Sequence, residues 1–308
     1  MPATSRHPLR VAAIAAGAAA AAAAAVVALV VHPAGAINSC NAKPAPERTE
    51  VGVLLVLWDG NGDGTDDNFD WHCTGTMIDA DSFLTAAHCV TDWSPDPAND
   101  HFYVSLDQDV QSELDAAQAA GLSGAAEAAH FVAHGMAVEG DEAHDPGYTK
   151  SQSNPHDIAV VDFSHRAVTP ANVRTFTPAQ LPTAGELNAL GGRTLETLPW
   201  LVAGYGTEQA VRGPGGQTHP GGGARMEAPL SCNALTKTWV RLSMIAPQGN
   251  GGACYGDSGG PNFATIDGTL VLAATTITGD SPCYATNVSF RTDTPTARTF
   301  LAPYVNLP

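Results

Sequence analysis

Runs of apolar and β-branched residues, separated by turn-forming clusters, recur along the chain from residue 51. Short runs of this kind between turns are typical of β-strands. The first half carries VGVLLVLW, WHCTGTMI, SFLTAAHC, HFYVSL and DIAVVDFS. The second half carries TLPWLVAGYG, ARMEAPL, WVRLSMIA, TLVLAATTITG and NVSFRTD. Two groups of strands predict an all-β protein built from two barrels.

Other segments depart from the strand pattern. Residues 112–129 are rich in Ala, Glu and Gln, which predicts a helical or loosely ordered surface insertion. Residues 165–195 contain three prolines and few apolar runs, as expected of a connection between two halves. Apolar residues at helical spacing after Thr294 predict a closing helix. The stretches GGPNFATIDG and VRGPGGQTHPGGG are interpreted as loops.

The first 36 residues are organised like a secretory signal peptide. Arg6 and Arg10 give a positive start, an alanine-dominated apolar run follows, and Ala34-Gly35-Ala36 is a small-residue cleavage site. The alternative is a transmembrane anchor, although alanine contributes little transfer free energy to a span. The sequence thus predicts a signal peptide (1–36), an N-terminal segment with a first barrel (37–175), and a connection, second barrel and closing helix (176–308).

Acidic residues dominate the charge balance. The chain has 14 Lys and Arg against 31 Asp and Glu, which gives a formal net charge of −17. Nucleic acids and anionic membrane surfaces are bound through clustered Lys and Arg, so neither is an expected partner. After removal of the signal peptide we expect a secreted monomer without a membrane partner.

Six cysteines in an exported chain predict three disulfides, although the count alone permits 15 pairings. A competing interpretation is a zinc site on His72-Cys73 and His88-Cys89, which lack CxxC or HxxxH spacing. Lipidation at Cys40 is a second alternative, because Ile37-Asn38-Ser39-Cys40 partly resembles a lipobox. Lipidation would leave Cys232 as an odd thiol in an oxidising compartment.

Three motifs place candidate catalytic residues in the order His, Asp, Ser. They are TAAHC with His88, HDIAVV with Asp157 and CYGDSGGP with Ser258. Through these motifs and LVAGYGTE, the chain from about Val51 to its C-terminus resembles the chymotrypsin-like (trypsin-like, S1) serine proteases, and is nearest to bacterial secreted members. The resemblance implies two packed antiparallel β-barrels with a C-terminal helix and an active cleft between the barrels.

The resemblance also implies how these residues act. His88 would take the proton of Ser258 and later pass it to the leaving amine, because a serine hydroxyl is a poor nucleophile at neutral pH. Asp157 would hold the imidazole tautomer. The N–H groups of Gly256 and Ser258 match the oxyanion hole of the family. The expected activity is that of a secreted serine endopeptidase acting on proteins or peptides, without a catalytic cofactor.

A binding protein that keeps the protease fold but has lost catalysis is the alternative of a different class. Decayed relatives usually replace a triad residue or the oxyanion-loop glycine, and this sequence retains both. A third reading is an active protease with trypsin-like preference for cationic side chains.

The resemblance pairs Cys73 with Cys89 and Cys254 with Cys283, around the histidine loop and the substrate pocket. Cys40 and Cys232 remain, and they are paired because related enzymes often tie the N-terminal segment to the second barrel. Asp257 would pair with a newly formed α-ammonium group. Signal cleavage after Ala36 would supply that group at Ile37, although Ser39 and Cys40 stand where the family usually has two glycines.

The predicted substrate pocket is neutral. Gly252 stands six residues before Ser258, where trypsin has an aspartate at the pocket floor, and neither Gly252 nor Ala253 can bear charge. Gly279 is expected on one wall, and Asn287 is a candidate for the opposite wall. Apolar or aromatic substrate side chains are therefore expected rather than Lys or Arg, while Asp280 near the rim adds to a negative field that attracts cations.

An acidic hairpin between the first two strands matches the spacing of a calcium-binding EF-hand loop. Strands instead of helices flank it, so an acidic turn without calcium is an alternative interpretation of the same residues. The candidate ligands of a structural calcium ion are Asp59, Asn61, Asp63, Thr65, Asp67 and Asp70.

Overall fold

The computed structural model describes residue 37 and residues 41–91, 99–151 and 156–308. The predicted signal peptide lies outside these residues. No helix in the described part of the chain is long and apolar enough to cross a membrane.

Six antiparallel strands close the first barrel. The two-residue strand β1 (Lys43–Pro44) precedes them and pairs with the second barrel. The barrel strands are β2 (Val51–Trp58), β3 (Asn68–Met77), β4 (Ser82–Thr85), β5 (His101–Ser105), β6 (Val138–His144) and β7 (Ala159–Asp162). Around the barrel their order is β2-β3-β4-β7-β6-β5. The short helix α1 (His88–Thr91) follows β4.

Strand β2 is apolar throughout because both of its faces are buried. Successive side chains of a strand point to opposite faces. Leu54 and Val56 pack with Phe83 and Phe102 inside the first barrel. The alternate residues of β2 belong to a second cluster, which also contains Leu114 and Phe131 of the two helices described next.

The predicted insertion forms two helices, α2 (Val110–Ala119) and α3 (Gly124–Ala133). The helical expectation for residues 112–129 is therefore confirmed. Leu114 and Phe131 are fully buried, so the insertion covers the outside of the barrel and contributes to its core.

The second barrel also has six antiparallel strands. Three short helices lead into it: α4 (Pro170–Val173), α5 (Glu186–Leu190) and α6 (Gly192–Leu195). Its strands are β8 (Trp200–Gly204), β11 (Met226–Leu235), β12 (Trp239–Ser243), β13 (Pro261–Ile266), β14 (Thr269–Gly279) and β15 (Thr286–Arg291). Their order is β11-β12-β15-β14-β13-β8, and pairing between β8 and β11 closes the barrel. The exposed hairpin of β9 (Val211–Gly213) and β10 (Gly216–Thr218) lies outside this barrel.

The closing helix is confirmed as α7 (Pro295–Leu301), and the Thr294 side chain accepts a hydrogen bond from the Ala297 N–H at 3.2 Å. The prediction of a loop at GGPNFATIDG is wrong, because the centre of this segment forms strand β13. Phe263 and Ile266 are buried there, and β13 pairs with both β8 and β14. The flanking glycines and Pro261 are typical of turns, so the sequence did not predict this strand. The all-β, two-barrel prediction is confirmed.

Candidate active site

Antiparallel pairing of β4 with β7 brings His88 close to Asp157. Thr85, the last residue of β4, lies opposite Ala159, the first residue of β7. His88 stands three residues beyond that end of the ladder and Asp157 stands two residues before it. The two side chains are 69 positions apart in sequence and meet at the same edge of the barrel.

The Asp157 carboxylate holds His88 through two hydrogen bonds. One carboxylate oxygen accepts the backbone N–H of His88 at 2.9 Å, and the other lies 2.8 Å from the ring Nδ1. A carboxylate accepts hydrogen bonds, so in the neutral ring Nδ1 carries the proton and Nε2 is left as a base. Asp157 is buried and the His88 side chain is 27% exposed, so part of the histidine side chain remains accessible.

The turn that carries Ser258 depends on glycines. Gly256 and Gly259 have φ angles of 93° and 76°, which disfavour any residue with a side chain. A Cβ at Gly256 would lie 2.4 Å from Trp71, and a Cβ at Gly259 would lie 2.1 Å from the Thr85 hydroxyl oxygen. Larger residues at either position would therefore push the turn away from the first barrel.

Thr74 of β3 ties the Ser258 turn to the first barrel. The Thr74 hydroxyl donates to the Gly256 carbonyl at 2.9 Å, and the Thr74 N–H donates to the Ser258 carbonyl at 2.9 Å. No acceptor among the described residues takes up the N–H groups of Gly256 and Ser258. Two backbone donors are therefore available at the turn.

Asp257 is fully buried beneath this turn. Its carboxylate oxygens accept the N–H groups of Gly206 and Cys254, each at 2.8 Å. No basic side chain in the described part of the chain forms an ion pair with it. Burial raises the pKa of Asp257 to about 7.

His88, Gly256 and Ser258 line one cavity of about 610 Å³. Of the predicted pocket residues, Ala253 and Gly279 also line it, whereas Gly252 does not. A Cβ at Gly252 would lie 2.1 Å from the Met244 sulfur, so this thioether packs against Gly252. The sequence predicted that Gly252 carries no charge but not its contact with Met244.

A model of the trypsin family matches residues 61–296, more than half of the chain. The chain belongs to the trypsin family. The matched range includes both barrels in large part and all three motif residues, His88, Asp157 and Ser258. None of the curated proteins compared with the chain matches it.

Two disulfides of this trypsin-family chain are present as expected, Cys73 with Cys89 and Cys254 with Cys283. Each pair also lies beside a histidine, His88 and His219 respectively. Because the sulfurs are covalently joined, they are not available as thiolate ligands, and the alternative zinc site on the two His-Cys pairs is excluded.

Cys232 is buried and has no disulfide partner among the described residues, and its expected partner Cys40 lies outside them. The neighbouring residues connect the same two segments. The Asn41 side chain donates to the Asn250 carbonyl at 2.8 Å, and the Ser231 hydroxyl donates to the Asn250 side chain at 3.1 Å. The pairing of Cys40 with Cys232 stays a prediction.

Two residues that the sequence analysis did not single out also shape the cavity. Trp71 lines it, donates to the Gln111 side chain at 2.8 Å, and packs against both Gly222 and Gly256. Thr276 lines it from strand β14. A tryptophan two residues before Cys73 and a threonine inside an apolar strand carry no motif, so only their positions in the fold reveal them.

The acidic residues at 59–70 are divided between a turn and a strand. Asp59 accepts the N–H groups of Asn61, Gly62 and Gly64 within the turn, and the Gly64 hydrogen bond contributes most to lowering the pKa of Asp59. Asp70 lies in β3 opposite Val56, away from the turn residues in the ladder. The proposed twelfth position of the loop is thus part of the barrel wall.

Proposed function

We propose that the protein is a secreted, monomeric serine endopeptidase that cleaves protein or peptide substrates with His88, Asp157 and Ser258. The observation that carries the proposal is the double hydrogen bond from His88 to Asp157, with Ser258 on the wall of the same cavity. Membership of the trypsin family gives the reaction class. The two disulfides are consistent with an oxidising compartment.

In this mechanism, His88 Nε2 accepts the Ser258 proton as the serine oxygen attacks the peptide carbonyl. The carbonyl oxygen gains negative charge and accepts hydrogen bonds from the Gly256 and Ser258 N–H groups. The peptide C–N bond then breaks, His88 gives its proton to the amine, and an acyl-enzyme remains. Water then attacks the acyl-enzyme carbonyl while His88 accepts its proton. His88 returns this proton to the Ser258 oxygen as the ester bond breaks and the carboxylic acid is released.

Covalent labelling tests the proposal. A biotinylated fluorophosphonate is expected to form a single adduct on Ser258, because the reagent reacts with a serine that a neighbouring base activates. Ser258→Ala should remain unlabelled, and the exposed control Ser164→Ala should label like the original protein. Absence of labelling in correctly folded, processed protein would favour the silent binding protein.

We also propose that signal cleavage after Ala36 produces an Ile37 amine that pairs with Asp257. Ile37 is buried among the residues of the second barrel, including Trp200 and Val202. In the uncleaved chain it has a φ of 66°, a strained value for a β-branched residue that costs about 1–3 kcal/mol. Cleavage removes the preceding carbonyl and with it this constraint. N-terminal sequencing of the secreted protein should begin at Ile37, and a start well downstream would contradict the proposal.

Processing is expected to change how stability depends on pH. In the uncleaved chain the Asp257 pKa of about 7 exceeds the unfolded value of about 4. The folded state then binds this proton more tightly, so its contribution to the free energy of unfolding is complete below pH 4 and is lost as the pH rises to 7. An Ile37 ammonium group would keep Asp257 ionised and remove this loss. Urea unfolding between pH 4 and pH 8 should therefore separate chains that begin at Pro33 and at Ile37, whereas identical profiles would argue against the pairing.

Calcium binding by the loop at 59–70 is retained as a proposal that rests on the sequence pattern. Millimolar calcium is expected to raise the melting temperature of chelator-treated protein, because an ion that binds only the folded state stabilises it. Asp59→Ala should lose this response, and the exposed Asp141→Ala, far from the loop in sequence, should keep it. An unchanged melting temperature in the original protein would rule out the site.

A further inference from the structure

Four buried polar side chains form a hydrogen-bonded relay behind the cavity wall. The relay consists of Ser289, Asn287, Asn262 and Thr276, whose exposed fractions are 0%, 1%, 0% and 4%. They come from three neighbouring strands, β13, β14 and β15, and Thr276 lies directly opposite Ser289. Buried polar groups are costly unless they are hydrogen-bonded, so this concentration in one wall of a barrel calls for a reason.

The hydrogen bonds of the relay run in one direction, towards Thr276. The Ser289 hydroxyl donates to the Asn287 Oδ1 at 3.3 Å. The Asn287 amide nitrogen donates to the Asn262 Oδ1 at 2.9 Å. The Asn262 amide nitrogen donates to the Thr276 hydroxyl oxygen at 2.9 Å. Reversing one amide alone would bring two NH₂ groups or two oxygens together, so the two amides must point the same way, and in the structure both direct their NH₂ groups towards Thr276.

Thr276 is left as a hydrogen-bond donor. Its hydroxyl oxygen accepts from Asn262 and also from the Asn287 amide nitrogen at 3.3 Å, which occupies both lone pairs. Its backbone is used as well, since its N–H donates to the Gly260 carbonyl and its carbonyl accepts the Gly259 N–H. No side chain or carbonyl in the described ranges accepts the Thr276 hydroxyl proton. Thr276 is also one of the residues that line the cavity.

We propose that Thr276 is a specificity-determining residue that donates a hydrogen bond to the side-chain oxygen of the substrate residue before the scissile bond, and that this residue is glutamine or asparagine. This inference rests on the proposed peptidase function, because it assigns a substrate class to the same cavity. An apolar substrate side chain would leave the buried Thr276 donor without a partner, and sites built to hydrogen-bond a substrate group discriminate strongly against analogues that lack it.

The charges around the cavity favour an amide over a carboxylate. No Lys or Arg is among the residues that line it. Burial lowers the pKa of His72, which also lines it, to about 4, so that ring is neutral at pH 7. Asp280 at the rim is acidic, and its carboxylate accepts the N–H groups of Tyr284, Ala285 and Thr286. A substrate carboxylate would thus lose its water without gaining a cation to balance its charge. A neutral amide carries no charge to balance.

The closing experiment compares peptides that differ only at the residue before the scissile bond: Gln against Met, which has similar length, and Asn against Leu, with Glu as the charged analogue. In the original protein, kcat/KM for Gln is expected to exceed that for Met and for Glu by at least about tenfold, the value of one good hydrogen bond. Thr276→Val should reduce the Gln to Met ratio about tenfold, and Thr276→Ser should retain it.

Thr275→Val is the matched control. Thr275 is the preceding residue of the same strand and is equally buried, but it does not line the cavity and its hydroxyl has no hydrogen-bond partner among the described residues. The control is expected to keep the Gln to Met ratio of the original protein. A preference for Met over Gln in the original protein, or an unchanged ratio in Thr276→Val, would overturn the inference.

Binding without catalysis separates this inference from the proposed function. Calorimetry on Ser258→Ala should show that peptides with Gln before the scissile bond bind about tenfold more tightly than peptides with Met at that position. Adding Thr276→Val should remove this difference in affinity. If fluorophosphonate labelling fails but this difference is found, the proposed function is wrong and the pocket assignment stands. If labelling succeeds and the difference is absent, the pocket assignment is wrong and the peptidase remains.

Discussion

Replacement of Ser258 or His88 by alanine is expected to lower kcat by about 10⁶-fold, because in the proposed mechanism the two residues act as nucleophile and base, and such a pair works only as one unit. Asp157→Asn should lower kcat by about 10⁴-fold, since an amide at this position favours the wrong imidazole tautomer. Steady-state kinetics on a peptide substrate with burst-phase titration of active sites measures all three effects.

The fold should survive these substitutions. None of the three replaces a large apolar side chain, and both Ser258 and His88 are partly exposed. Circular dichroism and the urea midpoint should therefore stay close to those of the original protein. The exposed His165→Ala serves as the control for histidine removal and should keep full activity. Near-normal turnover by folded Ser258→Ala would refute the catalytic assignment.

The largest loss of stability is expected from breaking the ion pair of Arg291 with Asp293. The two side chains are 1% and 0% exposed, and two parallel hydrogen bonds of 2.9 and 2.8 Å join them. Asp293 also accepts the Leu187 N–H at 2.9 Å, which attaches helix α5 to the end of β15. Asp293→Ala leaves Arg291 charged and buried, and should lower the free energy of unfolding by about 3–5 kcal/mol.

The exposed pair of Arg166 with Asp141 provides the matched control. Their side chains are 32% and 54% exposed, although one nitrogen to oxygen distance is only 2.6 Å. Surface pairs contribute about 0–1 kcal/mol, so Asp141→Ala should be nearly neutral. Equilibrium urea unfolding with both disulfides intact measures the two variants. Equal effects of Asp293→Ala and Asp141→Ala would show that burial does not decide the strength of the inner pair.

The strands with a continuous apolar pattern were predictable, and a strand with mostly charged and polar residues was not. VGVLLVLW and TLVLAATTITG coincide with β2 and β14. Strand β6, with the sequence VEGDEAH, was missed because it is an amphipathic strand with four charged or polar residues. Its place in the barrel comes from pairing with β5 and β7, which supply its hydrogen bonds whatever its side chains are.

The candidate site also contains residues that the sequence predicted and residues that it did not. The three motifs identified His88, Asp157 and Ser258, because the chemistry of a serine nucleophile requires these residue types and the local glycines. The role of Thr74, which holds the Ser258 turn through two hydrogen bonds, was not predictable, since a threonine in a strand has no motif.

The sequence by itself determined the class of fold and the residues of the motifs, because short apolar runs and glycine-rich turns express local rules of chain conformation, whereas the two disulfide pairings followed from the family resemblance. Only the tertiary structure decided which polar groups face the cavity. Thr276, Asn262 and Asn287 come from three strands, and Met244 meets Gly252 from a fourth segment. Such contacts depend on strand register and barrel closure, which join residues that are distant in sequence and therefore carry no local signal.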